Sequence, residues 1–462
     1  MKYAIFNLQL LISLHFTVYS NASIWTPSII SDNMVLQKND TVKIWGWSTV
    51  PDETITINCS WLETPISTKV HQGNWKILVT TTNSKKKQTI TVSGHEQLVI
   101  ENILFGEVWL ASGQSNMEWN GNLGYDDSEE ERKTANYPEI RFFKIKNQQS
   151  KYPLNDVKGE WVVCSPKTVN DFSAVGYLFG KEIHKKLKGP VGLIQAAWGG
   201  TPIEPWIEAS LTLNNEYLLA ESKKLPEEVY APEKPGVLFN SMIFPLKGFR
   251  FRGIIWYQGE SNVLNAESYY KSFPLLIKSW RQHFGGDLPF YFVQIAPFTY
   301  WDPKQRSEII RDAQLFAMKN IPNTGMVVTN DIGDLKDIHP RNKKEVARRL
   351  SLWAISKTYG FKDVVPSGPV YHSANVTGNK IIVQFKFAEE GLIAKGEKLM
   401  GFEIAGADKK YYPARAKIKK NEILLCSPKV RAPQFIRYAY SNIAEASLFN
   451  TYGLPASAFK TE

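Results

Sequence analysis

Cysteine is scarce in this 462-residue chain, which holds only Cys59, Cys164 and Cys426. Three thiols allow at most one disulfide, and none stands in a CxxC or Cys/His spacing that would hold zinc. Buried free thiols are therefore expected, with no metal site. Beyond the first 22 residues no segment approaches the run of about 20 predominantly apolar residues that spans a bilayer, which argues against an integral membrane protein. Internal repeats, low-complexity stretches and nucleic-acid-binding motifs are also missing. The formal charge is +10, but the lysines are scattered apart from Lys85-Lys86-Lys87. They read as solvated surface, and no nucleic-acid partner is expected.

The amino terminus does carry an apolar run, from Ala4 to Tyr19, preceded by Lys2 and broken by Asn7, Gln9 and His15. Ser20-Asn21-Ala22 follows, with small residues where a signal peptidase reads. Residues 1–22 are thus expected to be a cleaved signal peptide. They direct export to the periplasm or the exterior, or to a lumenal compartment in a eukaryote.

Hydrophobic residues make up 43% of the chain, and aromatics 13% with 14 Trp, which suits a sizeable core. Residues 23–103 read as short strands: Met34–Gln37, Thr41–Trp47, Thr54–Cys59, Trp75–Thr80 and Gln88–Ser93, rich in β-branched and aromatic residues between turn formers. They predict a small β-sandwich-like domain. Residues 104–362 change character. Strand patterns at Val108–Ala111, Val191–Ala197, Phe251–Tyr257, Phe290–Ala296 and Gly325–Asn330 alternate with helical spacing over Ala174–Leu187, Ser268–His283, Ser307–Asn320 and Arg341–Thr358. Such alternation predicts an α/β domain around a parallel five-stranded, flavodoxin-like sheet. Strands return over residues 363–462, as a third β-rich region or as the other half of the first.

Chemistry-bearing motifs fall at the ends of four of these strands, where an open parallel sheet binds its ligands. They are Gly113-Gln114-Ser115-Asn116, Trp198-Gly199-Gly200-Thr201, Gln258-Gly259-Glu260-Ser261-Asn262 and Asp334-Leu335-Lys336-Asp337-Ile338-His339-Pro340. Ester hydrolysis needs a nucleophile, a base to take its proton, a group to orient that base, and donors for the oxyanion. Ser115 and His339 fit the first two roles. Of the seven histidines, His339 alone follows a sheet strand beside acids. The amides of Ser115, Gly199 and Gly200 and the side chain of Gln258 fit the oxyanion hole. Asn116, Glu118 and Glu260 are candidate substrate-binding residues.

The block from Gly106 to Trp119, reading GEVWLASGQSNMEW, resembles the nucleophile block of the sialate O-acetylesterases, members of the SGNH hydrolases. Residues 199–204, 256–262 and 337–340 resemble the later blocks in the same order, and the tail from Arg437 to Ser457 is similar as well. The resemblance implies an SGNH hydrolase domain flanked by β-structure, no cofactor, and an O-acetylated sugar or glycan as substrate, sialic acid first. Two positions depart from the superfamily: Gln258 stands where an Asn is usual, and Lys336 stands three residues before His339 where an Asp is usual. The acid is then Asp337, which points the same way as His339 in an extended chain, or Asp334, or none.

Rival readings remain open at this level. Ser261 lies in a block shaped like that of Ser115. Glu118 and Glu260 could serve as opposed glycosidase carboxylates, though that leaves Ser115 and His339 unexplained. The acetylated glycan could instead be xylan, or the chain could be a carbohydrate-binding module without catalysis.

Overall fold

The computed structural model describes residues 23–461; the expected signal peptide lies outside the described residues. Its centre is a mixed sheet, and seven of its strands form the part that matters for the site. These are β1 (Gln97–Gly113), β2 (Tyr137–Lys144), β3 (Trp161–Cys164), β4 (Val191–Ala197), β5 (Gly253–Tyr257), β6 (Phe290–Val293) and β7 (Thr324–Val327), in the order β3-β2-β4-β1-β5-β6-β7. All pair in parallel except β3, which runs antiparallel to β2. The expectation of a five-stranded parallel sheet is corrected here. The five strands read from sequence are present and adjacent, but β2 adds another parallel strand and β3 an antiparallel edge. Strand β2 escapes sequence reading because it reads Tyr-Pro-Glu-Ile-Arg-Phe-Phe-Lys, and only Ile140, Arg141, Phe142 and Phe143 of it are buried. A proline and three charges mask that short buried run.

Strand β4 is buried along its whole length, as a parallel strand covered on both faces must be. On one face lie helices α2 (Ala174–Leu187) and α5 (Lys343–Trp353), which place Val175, Leu178, Val346 and Leu350 in one core with Trp109 and Tyr291. The other face takes α3 (Tyr269–Phe284) and α4 (Ser307–Asn320); Phe273, Leu276 and Trp280 join Trp256, Phe290 and Phe292 there. The result is an α/β architecture of three layers.

The β-rich flanks are tied to this centre. The sequence places a domain boundary at residues 103 and 104, yet β1 runs straight through it as a single 17-residue strand. Its first half pairs with Gln88–Ser93 and with Val35–Gln37, and its second half forms the middle of the parallel sheet. The carboxyl-terminal strands form separate sheets: two of four strands and one of two. They brace the loop after β7, where Ala446 N–H donates to Asn330 O (3.1 Å) and Asn330 Nδ2 to Ala456 O (3.2 Å). The Arg437-to-Asn442 motif ends on α4, since Asn442 Oδ1 accepts from Ser307 N–H at 2.8 Å. All three cysteines are free thiols, Cys59 and Cys164 buried.

Candidate active site

Ser115 opens a one-turn helix, α1 (Ser115–Glu118), directly after β1. The chain turns at Gly113, whose φ of +138° is costly for other residues. A Cβ there would stand 2.1 Å from Tyr257 O, so only glycine lets β1 and β5 close at this point. The turn leaves the Ser115 hydroxyl at the carboxyl end of the sheet.

His339 reaches the same point from the loop between β7 and α5. Its Nε2 lies 3.0 Å from Ser115 Oγ, although 224 positions separate the two in sequence. On the other side of the ring, Nδ1 is 3.3 Å from Asp337 Oδ1, and the same oxygen accepts from His339 N–H at 2.9 Å. Asp334 does not reach the ring; its Oδ1 accepts from Lys336 N–H at 2.8 Å. The Trp119 ring packs on the imidazole with centroids 4.4 Å apart. Burial, then the nearby Lys343 cation, hold the imidazole below its ordinary value of 6.5, with Asp337 opposing. At neutral pH the ring is therefore unprotonated, the state a general base needs.

The candidate oxyanion donors separate into two groups. Among the described residues no acceptor takes the amides of Ser115 and Gly200. Gly199 N–H is engaged: it donates to Glu118 Oε2 at 2.6 Å. Gln258 is fully buried, and its Nε2 donates to Thr201 O (3.3 Å) and to Asn262 Oδ1 (2.8 Å). Its Oε1 accepts from the Tyr269 hydroxyl at 2.8 Å. The Gln258 amide thus forms the floor of the site rather than its wall. Asn262 extends that floor, accepting from Ile203 N–H (2.9 Å) and donating to the buried Glu204 (3.0 Å), which locks the second and third motifs together.

The other candidates are placed as follows. Asn116 is buried and bonded to Glu260, Ile338 O and Lys343, so it lies beneath the pair and not in the cleft. Glu260 is buried with it. Glu118 is half-buried and carries Gly199 on one oxygen and Asn147 Nδ2 on the other, at 2.9 Å. Ser261 has no imidazole beside it, and its hydroxyl donates to Gly200 O at 3.0 Å.

With this geometry in view, the comparisons with known proteins are specific. Residues 106–351 match the family model described as "Carbohydrate esterase, sialic acid-specific acetylesterase". The chain belongs to this family. The human sialate O-acetylesterase is 30% identical over 422 residues, covering 82% of this chain and 79% of that protein. The mouse sialate O-acetylesterase is 31% identical over 427 residues, with 79% of each covered. Among solved structures, a carbohydrate acetylesterase from Xanthomonas citri superposes with a TM-score of 0.86 at 32% identity, covering 95% of this chain and 100% of that one. The protein is a carbohydrate esterase, and so a carboxylic ester hydrolase.

Several residues of the esterase's cleft escape sequence reading. Tyr230 is 66% exposed and overhangs Gly200: a Cβ there would stand 2.5 Å from the Tyr230 ring, and the φ of +77° separately favours glycine. A cavity of about 140 Å³ beside it is lined by Gly200, Glu228, Tyr230, Glu233, Glu260 and Ser261. A larger one, about 590 Å³, lies at the end of β2 and includes Lys144, Lys146, Asn147 and Lys167. Asn147, through Glu118, joins it to α1. No periodicity marks these loops; only the return of the chain to the sheet's carboxyl end brings them to the site. Trp206 is core, and its indole N–H donates to Thr201 Oγ1 at 3.0 Å.

Proposed function

We propose that the esterase removes O-acetyl groups from sialic acids by a two-step acyl transfer with Ser115 as nucleophile and His339 as general base. The observation that carries this reading is the 3.0 Å approach of His339 Nε2 to Ser115 Oγ, with Asp337 on the far side of the ring. His339 takes the hydroxyl proton as Oγ adds to the acetyl carbonyl. The tetrahedral oxyanion is held by the free amides of Ser115 and Gly200, and Asp337 steadies the imidazolium. Collapse breaks the carbon–oxygen bond to the sugar, and the sugar hydroxyl leaves with the proton from His339. Water then gives up a proton to His339 and attacks acetyl-Ser115. Acetate departs, and Oγ regains its proton.

The strand order supports an SGNH hydrolase core of flavodoxin type. With β2 and β3 set aside, the remaining parallel strands run β4-β1-β5-β6-β7, the 2-1-3-4-5 order in their own chain sequence. The reading also includes export directed by residues 1–22. A protein recovered outside the cytoplasm with an amino terminus near Ser23 supports that part, and one retained with Met1 overturns it.

A sialic acid carries a carboxylate, and the cavity at the end of β2 offers it three lysines, Lys144, Lys146 and Lys167, against two acids, Glu160 and Asp171. One observation favours a second reading. Glu228 and Glu233 line the cavity beside Gly200 and repel a carboxylate there, which would suit a neutral acetylated sugar such as xylan. The deciding experiment is acetate release from 9-O-acetylated sialic acid, acetylated xylan and a chromogenic acetate, with wild type and Ser115→Ala. Release from the sialic acid that disappears in the variant is expected. Activity on xylan alone transfers the reading to the neutral glycan, and activity kept by a folded Ser115→Ala removes the mechanism.

A further inference from the structure

Beneath the Ser115–His339 pair lies a buried polar cluster that the acyl-transfer steps do not use. Lys343, the first residue of α5, has no exposed surface, and its Nζ donates to Asn116 Oδ1 at 2.6 Å. The amide of the same Asn116 donates to Glu260 Oε1 at 2.7 Å and to Ile338 O at 3.1 Å. One side chain next to the nucleophile therefore grips three things: the start of α5, the residue before the base, and the third motif. The ammonium also lies 5.4 Å from the centre of the Trp119 ring, the ring that packs on His339, and 5.8 Å from that of Tyr257. Burying an ammonium in this way is costly unless it is hydrogen-bonded and faced by acids, so its retention calls for a reason.

We infer that Lys343 is a positioning residue for the esterase, holding Ser115 and His339 in register through Asn116 with Glu260 across the amide. The inference rests on the Ser–His reading of the site. Register matters because a misplacement of about 1 Å can cost about 10²-fold in rate. The charge matters as well. The groups facing Lys343 are Glu260, Asp337 and Arg341, and those facing His339 are Asp337, Arg341 and Lys343 itself. Burial pushes the Lys343 ammonium down to about 7, with Glu260 and Asp337 opposing and Arg341 adding to the fall. Burial likewise pushes the Glu260 carboxyl up to about 7. Below neutrality, where His339 titrates, Lys343 is thus a cation and repels the imidazole's second proton. Removing it lets His339 protonate at higher pH.

The test uses the full esterase and three variants: Lys343→Met, the doubly neutral Lys343→Met/Glu260→Gln, and Asn116→Ala. Three quantities are measured across pH 4–9: kcat and KM for p-nitrophenyl acetate, and the protonation midpoint of the His339 ring by NMR. In either Lys343 variant kcat should fall about tenfold or more at neutral pH with KM within about twofold. The His339 midpoint should rise by about half a unit. Asn116→Ala cuts the clamp and keeps the charge, so kcat should fall while the midpoint moves less than in Lys343→Met. Folded Lys343 variants with wild-type kcat and an unmoved midpoint overturn the inference. Should neither Lys343 variant fold, wild-type kcat in Asn116→Ala overturns it. A wild type that hydrolyses no ester, with a midpoint that still moves in the Lys343 variants, fails the esterase mechanism and not the coupling.

Discussion

Glu118 Oε2 accepts a hydrogen bond from the Gly199 amide at 2.6 Å, so a carboxylate three residues after Ser115 holds the second strand-end loop beside it. A Cβ on Gly199 would stand 3.3 Å from Ser115 Cβ, which shows how closely the two loops approach. The expected consequence is a difference between two substitutions. Glu118→Gln keeps a carbonyl acceptor and should retain most of the activity. Glu118→Ala releases the Gly199–Gly200 loop and should lower kcat by about tenfold, since the Gly199 amide loses its acceptor and Gly200, the proposed oxyanion donor, loses its position. Steady-state kinetics on a chromogenic acetate decide it. Equal rates for the two variants would mean that the bond does not position the loop.

Replacing Ser115 or His339 by Ala should each reduce kcat by about 10⁴–10⁶, and the double variant should lose little more, because the two act as a unit. Asp337→Ala should cost less, about 10²-fold, since its carboxylate is 37% exposed and meets Nδ1 at a long 3.3 Å. Asp334→Ala should stay within about twofold of wild type, its carboxylate being bonded, among the described residues, only to the Lys336 amide. A larger loss for Asp334→Ala than for Asp337→Ala would reverse the choice of acid.

The pH profile follows from the downward shift of His339. A base held below its ordinary value stays unprotonated further into acid. The acid limb of kcat/KM should therefore lie below the ordinary imidazole value of about 6.5. Activity present above the limb is lost as pH falls through it. A midpoint above about 7 would contradict the environment described for the ring.

Gln258→Ala offers a test of floor against wall. Removal strips an acceptor from the Tyr269 hydroxyl and donors from Thr201 O and Asn262, all in a fully buried region. Unfolding in denaturant should show a loss of about 2–3 kcal/mol. A variant of unchanged stability but kcat lowered by about 10²–10³ would instead mark Gln258 as a direct oxyanion donor.

Much of this molecule is legible in its sequence. Helices over Ala174–Leu187 and Ser307–Asn320 coincide with the expected bounds, because a buried face at helical spacing needs only local information. Strand β4, apolar but for Gln195, is equally plain. Strand β2 is not, since its buried stretch is short and begins after a proline and a glutamate. Sequence also singles out Ser115 and His339, since each follows a strand of one parallel sheet and so falls at its carboxyl end; that His339 meets Ser115 and not Ser261 is a matter of loop path.

What sequence could not decide was which polar groups are free. Gly199 and Gly200 are neighbours with the same chemistry, yet the Gly199 amide is taken by a carboxylate 81 positions away. Gln258 and Asn116 belong to the motifs, but their amides are engaged with Asn262 and Thr201, and with Glu260 and Lys343. Asp334 and Asp337 share a loop, and only its path turns one of them toward the ring. Residue type and strand order determine which groups gather at the site. Hydrogen bonds saturate, so whether a group faces substrate or supports its neighbour depends on partners that only the tertiary structure brings within reach.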